Sequence, residues 1–223
     1  MAPEEASRLS ERLSQSEVDR AARFLRVEDR MRYLAAHDML RRILEYYLAV
    51  PAKDLVFREN KFGKPEIANL PCGGRLAFNL AHSGDFAVLA VGRDLQVGID
   101  IEEICLGSDF IEVAERLFSE PEVEDLKKVP PEEQPELFFR YWTRKEAYVK
   151  ARGEGLSCSL RDFSVSGTPP LQRCINNHPD EVKQWSIFDL DINEGYASAL
   201  ATEGCVEKIT VRDFSTNRVI SSL

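Results

Sequence analysis

Two stretches of this 223-residue chain set charged side chains into runs that are otherwise aliphatic or aromatic. The first, VGIDIEE at Val97–Glu103, has the alternation of a β-strand, so Val97, Ile99 and Ile101 share one face while Asp100 and Glu102 share the other. Two carboxylates about 6 to 7 Å apart along one strand face can converge on a single hard cation. Taken alone, the heptapeptide reads more simply as a half-buried strand whose acids face solvent, because an uncompensated buried carboxylate is costly.

The second stretch, FFRYWTRKEAYVKARGEGL at residues 138–156, is patterned as a helix, and Phe138, Trp142, Glu146 and Lys150 fall on one stripe at four-residue spacing. A surface Glu-to-Lys pair in this order is worth only about 0.3 kcal/mol. Surface pairs seldom continue an aromatic stripe, however, which puts Glu146 and Lys150 at the edge of a core. Glu146 would add a third carboxylate to Asp100 and Glu102, an oxygen-rich set suited to Mg²⁺, with Lys150 one turn on to neutralise a phosphate oxygen.

A third motif, FNLAHSGDF, places His82 and Ser83 between two strands. A lone histidine there is more often a structural hydrogen-bonder than a ligand, and the three histidines are too scattered for an HExxH zinc site.

The elements that must position these residues are legible in outline. Residues 14–48 open with Ser-x-x-Glu, a capping box at Ser14 or Ser16, and carry a helical apolar stripe that includes Phe24, Leu25, Tyr33, Leu34, Leu40 and Leu44, in two helices ended by Pro51. LAFNLAHSG, DFAVLAVG and QVGIDIEE read as a meander of antiparallel strands. DFIEVAERLF, a short helix within residues 119–136, and ELFFRYWTRKEAYVKARG follow as helices, the last ending near Gly153. DFSVSG, QWSIFDL, YASALAT and KITVRDF read as strands. Helices then strands therefore occur twice, and GDFAVLAVG shares with EGYASALAT a glycine, an aromatic and a small-apolar run. The expected class is α+β, with two similar halves, residues 1–103 and 104–223, packed face to face.

Composition excludes several functions. A net charge of −9 argues against a general nucleic-acid binder, although the arginines between Arg20 and Arg42 outnumber the acids and suit a local anion site. Five scattered cysteines, Cys72, Cys105, Cys158, Cys174 and Cys205, build neither a disulfide framework nor a metal pair. The charged N-terminus and the lack of a long apolar run point to a cytoplasmic protein without membrane contact.

FNLAHSG, VGIDIEE and FFRYWTRKEAYVKARGEGL, in that order and preceded by GKP, resemble the 4′-phosphopantetheinyl transferase superfamily, marked by a (V/I)G(I/V)D(I/V)E strand and a (F/W)xxKE(A/S)xxK helix. The length resembles its longer, Sfp-type (surfactin-synthetase-activating) branch. That resemblance implies a pseudo-twofold fold with the active site between its halves, working as a monomer. It implies Mg²⁺-dependent transfer of the phosphopantetheine arm of coenzyme A to a serine of an acyl or peptidyl carrier protein, releasing adenosine 3′,5′-bisphosphate; a non-catalytic relative that binds coenzyme A or a carrier is the alternative. It marks Asp100, Glu102 and Glu146 as metal ligands, Glu146 also as the base for the carrier serine, and Lys150 as the pyrophosphate and leaving-group contact. Arg20, Arg32, Lys64, His82 and Ser83 resemble coenzyme A contacts, and Asp100 lies on the coenzyme A side of the same site. Ala81 stands where the family commonly has serine, and Glu17 and Tyr33 where relatives often carry a basic and a small hydroxyl residue.

Overall fold

The fold is built from capped helices and short antiparallel strands, in a computed structural model that describes residues 3–70, 74–107, 109–155, 158–168, 185–214, 216 and 218–222. The chain divides into two compact units, one of Met1–Arg58 with Glu66–Gly74 and the other of Glu59–Pro65 with Arg75–Leu223. Cys72 and Cys174 lie outside the described residues; Cys105, Cys158 and Cys205 are thiols not joined in disulfides.

The first unit holds α1 (Pro3–Ser10), α2 (Gln15–Ala21) and α3 (Val27–Leu48). The capping box forms at Ser14: its backbone N–H donates to Glu17 at 2.7 Å, and its hydroxyl accepts from the Glu17 N–H. Ala21, Met31, Tyr33 and Leu34 make the core, with Leu9 and Leu13 packed on it. Phe24 and Leu25 were expected in the same stripe but are exposed. The reason is local: α2 ends at Ala21 and α3 starts at Val27, so both residues fall in the connection, out of phase with either helix. Glu17 also binds the buried Arg41, whose guanidinium further donates to the carbonyls of Ala52 and Leu55 at 2.6 and 3.1 Å. β1 (Phe57–Glu59) and β2 (Pro65–Ile67) form a small two-stranded sheet.

In the second unit, β3 (Leu76–Ser83) and β4 (Phe86–Arg93) form a hairpin closed by Gly84 and Asp85, and Gly84 takes the positive φ of 53° that the turn needs. β5 (Val97–Glu103) leads to α4 (Phe110–Leu117), α5 (Glu120–Lys128) and α6 (Gln134–Arg152), then to β6 (Trp185–Asp189), β7 (Tyr196–Glu203), β8 (Thr210–Asp213) and β9 (Arg218–Ser222). β7 is the centre of an antiparallel sheet in the order β5-β7-β6, and β8 pairs with β9. β9 has no counterpart among the expected strands. DFSVSG was expected as a strand but forms a short 3₁₀ turn and irregular chain, because its backbone groups are bonded by helix side chains: Arg144 donates to the carbonyls of Val165 and Gly167.

The β5-β7-β6 sheet is covered on both faces. Ala199 and Ala201 of β7 join Phe138, Ala147, Tyr148 and Ala151 of α6 in one core, which also takes in Phe110 of α4 and Val123 and Leu126 of α5. Val97, Ile99 and Ile101 of β5 and Leu200 of β7 join Ala81, Val88 and Ala90 of the β3–β4 hairpin in another. The matched segments noted in the sequence become β4 and β7, each entered through a positive-φ glycine, and their aromatics Phe86 and Tyr196 meet edge to face with ring centres 4.8 Å apart.

Candidate active site

The acidic strand and the Glu146 helix are brought together by a missing side chain. The face of β5 opposite the isoleucines carries Gly98, Asp100 and Glu102, and it lies against α6. A Cβ on Gly98 would overlap the Ala147 carbonyl oxygen and the Ala151 amide nitrogen and would come within 2.8 Å of the Ala151 Cα. Only glycine lets the two backbones approach so closely, and the approach lays the helical turn from Glu146 to Lys150 over Asp100.

Lys150 Nζ donates to Asp100 Oδ1 at 2.5 Å. Asp100 is 3% exposed, and its second oxygen, Oδ2, is buried with no hydrogen-bond partner. Burial, aided by the charges of Glu102 and Glu146, pushes the Asp100 carboxyl up to about 7 against the pull of Lys150. Glu146 is likewise raised, first by burial and then by Glu102, with Lys150 opposing. The acids are thus neighbours in a desolvated place with less positive charge than they need.

Glu102 is held from the other side. Ser83 donates its hydroxyl to Glu102 Oε2 at 2.9 Å, and Ser83 Oγ accepts from the Glu103 N–H at 3.0 Å. His82 and Ser83 are the last residues of β3, since the turn between the strands is only Gly84 and Asp85. Alternation puts Ser83, Ala81 and Asn79 on the face toward β5, with Ala81 buried, and leaves His82 exposed on the other.

Two residues ahead of Glu146 fix the helix and were not anticipated. Lys145 and Glu122 form an ion pair at 2.8 Å whose side chains are both 0% exposed. Lys145 uses its other donors on the carbonyls of Leu160 and Phe163 at 2.7 and 2.6 Å, while Glu122 accepts from Ser119 and from the Val165 N–H. Arg144 grips Asp189 of β6 through two bonds of 2.7 and 2.6 Å. No local signal marked them: Tyr141, Thr143, Tyr148, Val149 and Ala151 are buried around most of the α6 circumference, which only the packed structure shows. A charge in such a helix must be paired.

The remaining candidates have protein partners or stand apart. Lys64 donates to the carbonyls of Val97 and Ala151 at 3.1 and 3.0 Å and to Gln96. In the first unit, Arg20 borders an open depression of about 510 Å³ with Ser16, Arg23 and Phe24. Arg32 bonds Asp29 at 3.4 Å, Glu17 is engaged by Arg41, and Tyr33 stacks on His37 with ring centres 3.9 Å apart.

Among the described residues no three His, Cys, Asp or Glu side chains are already drawn into a metal cage. The donor set nevertheless suits a hard cation: an orphaned buried carboxylate oxygen, two more carboxylates whose charges reach it, and pKa values of Asp100 and Glu146 raised first by burial and then by the neighbouring carboxylates. A lysine at the edge of the same cluster adds a donor for an anionic substrate.

Residues 96–201 match the model of the 4′-phosphopantetheinyl transferase superfamily, and residues 2–93 match the 4′-phosphopantetheinyl transferase N-terminal model. The 4′-phosphopantetheinyl transferase HetI of Nostoc is 36% identical over 196 residues, covering 88% of this chain and 81% of that relative. The chain belongs to the 4′-phosphopantetheinyl transferase superfamily. Within the superfamily its length and similarity are those of the Sfp-type branch: 4′-phosphopantetheinyl transferase Sfp of Bacillus subtilis is 31% identical over 200 residues, 90% of this chain and 86% of Sfp. A 4′-phosphopantetheinyl transferase of Bacillus pumilus is 37% identical over 182 residues, 82% of this chain and 75% of the relative. No helix among the described residues is long and apolar enough to cross a membrane.

Proposed function

We propose that this chain transfers the 4′-phosphopantetheine group of coenzyme A to a serine hydroxyl of an apo carrier protein, acyl or peptidyl, acting as a cytoplasmic monomer. The serine oxygen bonds to the pantetheine-side phosphorus as the bridging P–O bond breaks, and adenosine 3′,5′-bisphosphate leaves. The observation that carries the reading is the orphaned Oδ2 of Asp100 beside Lys150 and two further carboxylates.

In this reading Asp100, Glu102 and Glu146 hold Mg²⁺, which when bound supplies charge neutralisation for the pyrophosphate oxygens. Glu146 takes the serine proton, directly or through a water; its raised pKa brings a carboxylate base nearer to working pH. Lys150 keeps one donor on Asp100 and has two others for the pyrophosphate and the leaving phosphate. Arg20, Arg32 and His82, all exposed, are proposed to meet the coenzyme A phosphates and adenine side. Lys64 would have to exchange a protein partner for a phosphate oxygen to do the same, while the Ser83 hydroxyl is engaged by Glu102 and the Glu103 N–H. The site is proposed to lie between residues 1–103, which supply the acidic strand, and residues 104–223, which supply the helix. The test is transfer itself: with coenzyme A and Mg²⁺, a panel of apo carriers should include one that gains the mass of a phosphopantetheine group.

A further inference from the structure

Among the described residues β5 is an edge strand: β7 pairs with one side of it, and no described strand pairs with the other. Side chains cover that free edge instead. Because a strand residue turns its N–H and C=O to the same side, alternate residues of β5 present their backbone groups to the free edge. The Val97 carbonyl accepts from Lys64, the Ile99 N–H donates to Asn79 Oδ1 at 2.8 Å, and the Glu103 N–H donates to Ser83 Oγ at 3.0 Å. Asn79 and Ser83 are four apart on β3, as Ile99 and Glu103 are on β5, so the two contacts fix the register of the acidic strand.

Ser83 goes further than Asn79. Its oxygen must accept from the Glu103 N–H, which can only donate, and this leaves the hydroxyl proton for a second acceptor. That acceptor is Glu102 Oε2, at 2.9 Å. One hydroxyl therefore ties the backbone of β5 and aims one of its acids. We infer that Ser83 is a positioning residue that orients Glu102 toward the cation shared with Asp100 and Glu146. The inference rests on the reading that these acids bind a divalent cation. It differs from a direct role of Ser83 on a coenzyme A phosphate, which would compete for the same hydroxyl.

Removing a hydrogen-bonding partner of a metal ligand typically weakens metal affinity by about 10-fold or more. The experiment titrates metal-free protein, at saturating coenzyme A, with Mn²⁺ and follows the free ion by electron paramagnetic resonance; the KM for coenzyme A is measured in parallel at saturating Mn²⁺. Ser83→Ala and Ser83→Cys, the latter keeping the volume without a strong hydroxyl donor, should both weaken Mn²⁺ binding about 10-fold, and Ser83→Thr should restore it. The KM for coenzyme A should stay close to wild type in all three. Mn²⁺ binding unchanged in Ser83→Ala and Ser83→Cys would overturn the inference, as would a raised KM with metal affinity intact. A Thr variant as weak as Ala would assign the effect to packing and overturn it too. Failure of the wild type itself to bind Mn²⁺ would instead remove the cation reading beneath it.

Discussion

Lys150 and Asp100 are held 2.5 Å apart across the β5–α6 contact, yet the charge of Lys150 does not bring the aspartate back into its ordinary range. Burial wins, and the carboxylate keeps one oxygen without a partner. A pair built for stability alone would satisfy both oxygens, since an unsatisfied buried acceptor costs about 1 to 3 kcal/mol. The relationship reads as a site prepared for something further.

Glu146→Gln and Asp100→Ala should each lower transfer by at least about 100-fold, the scale of a lost general base or charge-neutralising ligand. Both should remain folded, with circular dichroism spectra like that of wild type. Initial rates under saturating coenzyme A and carrier check this, and unchanged turnover in both variants would remove the site.

Lys150→Ala should reduce the rate at saturating carrier by at least about 10-fold, because it removes the only lysine hydrogen-bonded to Asp100 among the described residues. A variant that lost melting temperature but kept its rate would return Lys150 to a purely structural pairing.

Gly98→Ala adds one methyl group where the α6 backbone already sits. No side chain can yield there, so the helix must shift away from β5, at a cost of about 2 kcal/mol or more. Chemical denaturation should show that loss, and transfer should fall further than stability does, because Glu146 and Lys150 move with the helix. A Gly98→Ala protein with wild-type stability and rate would contradict the close approach.

The raised Asp100 carboxyl sets a pH dependence for the metal-free protein. Its ordinary value is 3.8 and its folded value about 7, so between these the folded state holds a proton that the unfolded chain releases. The stability this group contributes is complete below pH 4 and is lost as pH rises through 7. Measured by denaturant unfolding at pH 5 and pH 8, wild type relative to Asp100→Asn should lose on the order of 2 kcal/mol. A difference that does not change with pH would contradict the burial argument.

Lys145→Met should destabilise the protein by about 3 to 5 kcal/mol, since it leaves Glu122 charged and wholly enclosed. Pairing it with Glu122→Gln, which keeps an acceptor for the Val165 N–H but removes the charge, should recover part of the loss. A double-mutant cycle of unfolding free energies with no coupling would show that the pair does not act as one unit.

The residues of the site were legible because their signals are local. Strand alternation alone puts Asp100 and Glu102 on one face, and four-residue spacing alone puts Glu146 and Lys150 on one stripe. What joins the two elements was not local. Gly98 looks like any glycine until the helix backbone is seen against it, and Lys145 looks like an ordinary surface lysine of a KE pair until Glu122 and the 160–165 segment close over it. The same limit explains DFSVSG: its alternation is that of a strand, but Arg144 and Glu122 take the backbone groups a neighbouring strand would have used. Phe24 and Leu25 fit a helical stripe only if the helix is unbroken, and the break after Ala21 lies in a basic run with neither glycine nor proline to mark it.

The central claim is transfer chemistry at the β5–α6 acids, and intact-protein mass spectrometry tests it most directly. The folded protein is incubated with coenzyme A, Mg²⁺ and a panel of apo carrier proteins of fatty-acid, polyketide and peptide synthesis. At least one carrier should gain the mass of a single phosphopantetheine group, with one adenosine 3′,5′-bisphosphate released per modified serine, and Glu146→Gln should leave the same carrier unmodified. Coenzyme A bound by the folded protein with no mass gained by any carrier would contradict the claim and identify a non-catalytic member of the family.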